Sequence, residues 1–315
     1  MANITVSSLR EAGAEHWFDV GPTPSDVQSA LQSLNEAITS GKVNPELRLV
    51  AYEDGEAIGR FAARFDSPGR FYFWQPECRA SLPLPKWREV TALLLEHAVH
   101  LGASYPTLTY FETKPADDLV HPDDWLDVLV AAGFHEVQCS RLYRRSLSAG
   151  EAEQASTTSA LRWVGPDAMN EDTIGDLIDE CDRDTLDRAD IEYGGARHAH
   201  WHDIKQVRPV PWDRELTSIA MLGSDPVGIV ICGIESANGD GWVMFVGTAP
   251  RARHRGIGAQ LLGRALRSFR TRGITHLKAL IDDQNAASIR LHETHGFRPD
   301  PERYMIYRKP KPSVG

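Results

Sequence analysis

Residues 249–266, APRARHRGIGAQLLGRAL, set Arg251, Arg253, His254 and Arg255 ahead of Gly256 and Gly258. Cations followed by two glycines are the parts of an anion site, because glycine lets the main chain approach a ligand in conformations a side chain forbids. The flanking elements must position those parts. The run GWVMFVGT (241–248) is apolar and rich in β-branched and aromatic residues, which predicts a buried strand. After Gly258, the apolar residues Leu261, Leu262, Ala265, Leu266 and Phe269, with arginines between, predict an amphipathic helix. The first N–H groups of a helix lack partners within it and carry partial positive charge, so they suit phosphate oxygens. The turn Arg253, His254, Arg255, Gly256, Ile257, Gly258, Ala259 is therefore a candidate phosphate cradle. A dinucleotide fold would need a third glycine and an acidic residue about twenty positions on. A Walker loop would need Gly-Lys-Ser/Thr. On residue types alone, a solvated basic loop also fits.

The 315-residue chain is long enough for two domains, and 42% hydrophobic with 25% charged residues is the composition of a soluble globular protein. A net charge of -10 argues against nucleic acid or an anionic membrane as partner, and sets the cationic turn apart from its background. Cys78, Cys139, Cys181 and Cys232 lack CxxC spacing, so neither a zinc site nor a disulfide framework is expected. MANITVSSLREAG has no apolar leader core and no stretch approaches membrane-spanning length, which leads us to expect a cytoplasmic protein.

SLSAGEAEQASTTSA (146–160) is small, polar and acidic and reads as a linker. The same order of elements stands on either side of it. LRLVAYEDGEAIGRFAARF (47–65) and LTSIAMLGSDPVGIVICGI (216–234) each predict two strands around a tight turn. Helices follow at 89–103 and 259–273, then strands TLTYFE and HLKALI. Each half closes with a helix ending in Gly-Phe and a last strand. This predicts a duplicated α/β domain: 1–146, a linker at 147–158, and 159–315. In the first half PECRASLPLPKW replaces the glycine turn, and its prolines would spoil a phosphate site.

With those elements in place, the second half resembles the GNAT superfamily of acyl-CoA-dependent N-acyltransferases. The resemblance rests on TAPRARHRGIGAQLL and on NAASIRLHETHGF (285–297), in the family's order. The layout is similar to tandem GNAT proteins with one degenerate copy. The resemblance implies an α+β mixed sheet in each of two GNAT-like domains, the first structural or substrate-shaping. It implies acetyl-CoA or another acyl-CoA as co-substrate and a small-molecule amine as acceptor. Main-chain groups of Val246, Gly247 and Thr248, on a strand splayed from its neighbour, would bond pantetheine. The turn 253–259 would hold the pyrophosphate, and Asn285 and Ser288 would line the channel.

Acyl transfer needs a deprotonated amine, a stabilised oxyanion and a proton for the leaving thiolate. His292 stands where the family has a tyrosine acid, and is either that donor or a polar residue near the ligand. Leu280 stands where a glutamate is common, which leaves Glu235, Asp240, Glu192 and Asp282 as candidate bases, Glu235 foremost. In the first half Leu129 and Pro122 match His292 and Asn285. Asp190, Glu192 and His200 are candidate acceptor-pocket residues. The alternation His198, His200, His202 is not completed into a metal motif, so no metal is expected. The expected assembly is a monomer or homodimer. A non-catalytic acyl-CoA-binding protein, or another acyl-CoA reaction such as O-acyl transfer or decarboxylation, remains the alternative.

Overall fold

The computed structural model describes residues 4–21, 24–66, 69–114, 121–148, 161–188, 197–206 and 210–311. The chain forms two compact units, Met1–Val137 with Met305–Gly315, and Gln138–Tyr304.

In the first unit, β1 (Ile4–Ser8), β2 (Arg48–Glu53), β3 (Glu56–Asp66), β4 (Arg70–Phe73), β6 (Tyr110–Thr113) and the end of β13 (Arg298–Pro310) lie in that order, with β5 (Glu77–Cys78) paired to β3. Its helices are α1 (Leu9–Ala12), α2 (Val27–Thr39), α3 (Leu84–Ala103) and α4 (Pro122–Ala131). The core gathers Phe61, Phe71, Phe73, Leu94, Phe111 and Trp125.

In the second unit the order is β8 (Leu161–Val164), β9 (Ser218–Leu222), β10 (Asp225–Ile234), β11 (Gly241–Thr248), β12 (His276–Asp282) and the end of β7 (His135–Ser146). Along either sheet the pairings run antiparallel three times, then parallel, then antiparallel. That identity of plan is the duplication expected from the sequence. Alternation along β10 feeds two cores: Val230 and Cys232 face α7 (Ile257–Thr271), while Ile229 and Ile231 face α5 (Glu171–Cys181) and α6 (Ala199–Gln206). Gly59 on β3 and Gly228 on β10 are matching points of close approach. A Cβ at Gly59 would come within 2.6 Å of Val90 on α3, and one at Gly228 within 3.0 Å of Leu261 on α7.

The units do not divide at the linker. Residues 140–146 of β7 pair with β12, and 307–310 of β13 pair with β6, so each half's closing strand lies in the other half's unit. Two copies of one fold present sheet edges of the same kind, and here each edge takes the other half's closing strand. Leu147, expected to open the linker, is buried and donates its N–H to the Thr275 carbonyl. Positions 149–158 of that linker lie outside the described residues. Among the described residues no helix is long and apolar enough to cross a membrane.

Candidate functional site

β11 pairs antiparallel with β10 from Gly241↔Ile234 to Thr248↔Gly228, with a bulge that leaves Met244 outside the register. Its parallel pairing with β12 covers only Gly241↔Leu277 and Trp242↔Lys278. From Val243 onward β11 therefore carries a main-chain edge without a β12 ladder. The half-buried Val246, Gly247 and Thr248 lie on that edge. In the first unit the corresponding strands stay paired throughout, from Arg70↔Tyr110 to Phe73↔Thr113, so that edge is closed.

The splayed strand runs into the cationic turn. Pro250–Ala252 form a single 3-10 turn, His254 (φ 61°) and Gly256 (φ 73°) take left-handed conformations, and α7 starts at Ile257. Among the described residues no side chain caps this helix start, and no acidic residue lies in its first turn. Among the described residues a Cβ at Gly258 would meet nothing nearer than 3.7 Å, so the space over the first turn is open with respect to them.

The cations divide into two kinds. Arg253 donates to the carbonyls of Thr248 (3.2 Å) and Cys181 (2.9 Å) and to that of Arg183. Arg251 pairs with Glu180 and donates to the Pro226 carbonyl (2.7 Å). Both tie the turn to the end of α5. Arg253, expected among the cofactor-binding residues, directs its guanidinium to the carbonyls of Thr248, Cys181 and Arg183 and braces the turn. His254 and Arg255 are exposed, as is Ala259, while Ile257 is buried under the helix. The positive potential at the turn is that of Arg255 and the helix start.

Asn285 caps α8 (Ala286–Thr294), accepting from the Ser288 N–H at 3.0 Å. Asn285→Ala is expected to cost about 1 kcal/mol of stability, read from urea unfolding followed by circular dichroism; an unchanged midpoint would deny the cap any role. Ser288 is half-buried, its hydroxyl 3.4 Å from Nδ1 of His292.

His292 does not have the geometry of a proton donor. It is 2% exposed, and Nδ1–H donates to the Ser288 carbonyl at 2.9 Å, which leaves the lone pair on Nε2. Nε2 is buried and has no partner among the described residues. Burial pushes the pKa down to about 4, so the ring is neutral at pH 7 and offers an acceptor where an acid was expected.

Glu235 is engaged in an ion pair at the paired end of β11. It lies in the β10–β11 turn, about 20 Å along β11 from Thr248 at the usual strand rise. There Lys278 Nζ bonds its carboxylate at 2.7 Å, lowering its pKa, and holds Asp240 at 2.8 Å. This ion-paired group serves the paired end of β11 and β12. Asp282, at the end of β12, is fully buried and bound by Arg188 through Nη2 at 3.0 Å and through its main-chain N–H at 3.0 Å. It is a structural anchor for the segment after α5.

His200 is brought to the splayed strand. Its ring stands edge-on to Phe245 with centroids 5.0 Å apart, and Nδ1 lies 3.1 Å from Asp182 Oδ2. Asp182, absent from the sequence expectations, lies 18 positions from His200, a separation without a helical or strand period to reveal it. Asp190 and Glu192 lie outside the described residues. The three histidines do not converge: His198 bonds Asp176 (2.9 Å) and His202 is exposed. Oxygens of Asp176 and Asp179 and a nitrogen of His198 lie within 4.8 Å of one another, with Asp176 also paired to Arg197.

Residues 183–297 match the model of the acetyltransferase (GNAT) family. No curated protein matches the chain. Among solved structures, a GCN5-related N-acetyltransferase from Sphaerobacter thermophilus is 16% identical with a TM-score of 0.59, covering 99% of this chain and 97% of that one. A tandem GNAT protein from the clavulanic acid biosynthesis pathway is 14% identical with a TM-score of 0.58, covering 99% and 100%. A glucosamine N-acetyltransferase region of a fungal multi-domain β-N-acetylglucosaminidase is 12% identical with a TM-score of 0.60, covering 98% of this chain and 38% of that one. Residues 183–297 thus match the GNAT acetyltransferase family, in a fold shared over nearly the whole chain with GNAT proteins, a tandem one among them.

Proposed function

We propose that this protein is an acyl-CoA-dependent N-acyltransferase that moves an acetyl or other short acyl group to the amine of a small molecule by direct attack. The observation that carries the reading is the continuity of the site. The edge of β11 open from Val243 leads without a break into an uncapped helix start kept clear by Gly258. An extended arm bearing amides suits the first, and a pyrophosphate suits the second. The first unit has neither: its strands are fully paired, and Pro83 stands at the start of α3. A supporting role for that unit follows.

Acyl-CoA supplies the thioester electrophile. This chain's residues extend it along β11 and fix its phosphates at the turn. A binding-only role is the second reading, favoured by the neutral, buried His292 where the family places its acid. Thiol release from acetyl-CoA, measured across a panel of primary amines, separates the two. Amine-dependent release supports the enzyme, and background release alone with every amine removes it.

Gly258→Leu tests the cradle itself. The position is helical and open, so the variant is expected to fold with an unchanged or higher urea midpoint, since leucine favours helix over glycine. Its side chain would fill the space above the first N–H groups. Affinity for acetyl-CoA is expected to fall about tenfold or more, each factor of ten being about 1.4 kcal/mol. Calorimetry giving the parent's affinity would remove the phosphate assignment.

A further inference from the structure

The carboxylates first considered as bases are held elsewhere: Glu235 and Asp240 by Lys278, and Asp282 by Arg188 in full burial. Beside the open stretch of β11 lies a different pair. His200, on α6, and Asp182, at the end of α5, keep 20% and 21% of their side chains exposed. They are thus reachable from solvent, and the ring stands against Phe245, the residue after the bulge at Met244. The residue before Asp182 gives its carbonyl to Arg253, so the cofactor turn braces the carboxylate's own main chain. Asp182 Oδ2 lies 3.1 Å from Nδ1, which fixes the ring plane, and with the proton on Nδ1 the basic nitrogen is Nε2.

We infer that His200, oriented by Asp182, is the general base that deprotonates the acceptor amine. The inference rests on the acyltransfer reading above. As the amine nitrogen forms its bond to the acyl carbon, the carbon–sulfur bond breaks and its electron pair leaves on the thiolate. The N–H proton passes to Nε2 of His200, giving an imidazolium paired with Asp182. That proton then goes to the thiolate, directly or through water, restoring the neutral ring and releasing free thiol. One residue then supplies both proton steps, while His292 keeps its proton on the Ser288 carbonyl.

The test uses the full chain, acetyl-CoA and a panel of primary amines: a monoamine, a diamine, an α-amino acid and an aminosugar. His200→Ala is expected to lower kcat by about a hundredfold or more, with acetyl-CoA affinity by calorimetry within about twofold of the parent. Added imidazole is expected to restore about tenfold of the lost rate. Asp182→Asn is expected to lower kcat by about tenfold or more, because the amide no longer holds the required tautomer. A separate readout is carbethoxylation of His200 by diethylpyrocarbonate, mapped by mass spectrometry, which bound acetyl-CoA should slow.

A packing role would lower the urea midpoint and give no response to imidazole. His200→Gln, of similar bulk and without a base, keeps the test sound if the alanine variant folds poorly. Should the parent acylate an amine while His200→Gln keeps its kcat within threefold, or should imidazole restore nothing, the dyad is overturned and acyl transfer stands. Carbethoxylation unaffected by acetyl-CoA would also overturn it. Should the parent bind acetyl-CoA and acylate none of the panel, the acyltransfer reading falls and the dyad with it.

Discussion

Replacing Asp282 by alanine is expected to destabilise the protein by about 3 kcal/mol, at the low end for breaking a buried ion pair. The carboxylate is fully buried, and four donors converge on it: Nε and Nη2 of Arg188, the Arg188 N–H and the Gln284 N–H. Alanine leaves all four without their acceptor. Arg188 keeps 28% of its side chain exposed, so water recovers part of its solvation, which is why the low end of the range applies. The segment that Asp282 holds begins at the end of α5, where Arg253 grips Cys181 and Arg183. It is therefore fastened to the ends of both strands of the splay, to β11 through Arg253 and to β12 through Arg188. Asp282→Asn retains an oxygen for the Gln284 N–H and should cost less. Urea unfolding by circular dichroism reads both, and a loss below 1 kcal/mol for the alanine variant would show that Arg188 and the two amides find other partners.

Features confined to neighbouring residues were legible in the sequence. The Gly-rich turn and the helix after it each depend on backbone conformation over a few positions, which residue types report directly. The common plan of the two halves was legible for the same reason. Direction was not. Arg251 and Arg253 were counted as charge for a phosphate, yet their guanidinium groups turn to carbonyls and to Glu180, since sequence gives the sign of a charge and not where its side chain points. Pairings across the fold were equally hidden: Arg188 finds Asp282 across 94 positions. The exchange of closing strands escaped because β7 and β13 are equivalent in pattern, and a duplicated sequence does not say which copy's edge each one takes. A fragment cut at residue 159 would strip β12 of its β7 partner.

His292 is expected to make the protein lose stability as pH drops from 6.5 towards 4. In the unfolded chain the imidazole takes up a proton near its ordinary value of 6.5, whereas in the fold burial holds it to about 4. Over that window the unfolded state binds more protons, so stability rises with pH there; the contribution is fully present above 6.5 and is lost as pH falls through the folded value. At pH 4 the loss is about 3 kcal/mol, from about 1.4 kcal/mol per unit. The physical origin is local. Nδ1–H is committed to the Ser288 carbonyl, Phe297 packs edge-on at 5.2 Å, and a proton on Nε2 would sit in a buried position without an acceptor. His292→Gln keeps a donor for the Ser288 carbonyl and removes the titration. Urea unfolding of the parent and the variant at pH 7 and pH 4 reads the difference directly. The parent should lose about 3 kcal/mol more than His292→Gln between those two conditions. Equal losses would mean that the ring is protonated in the fold as readily as in the unfolded chain, and would return His292 to the role of proton donor for the thiolate.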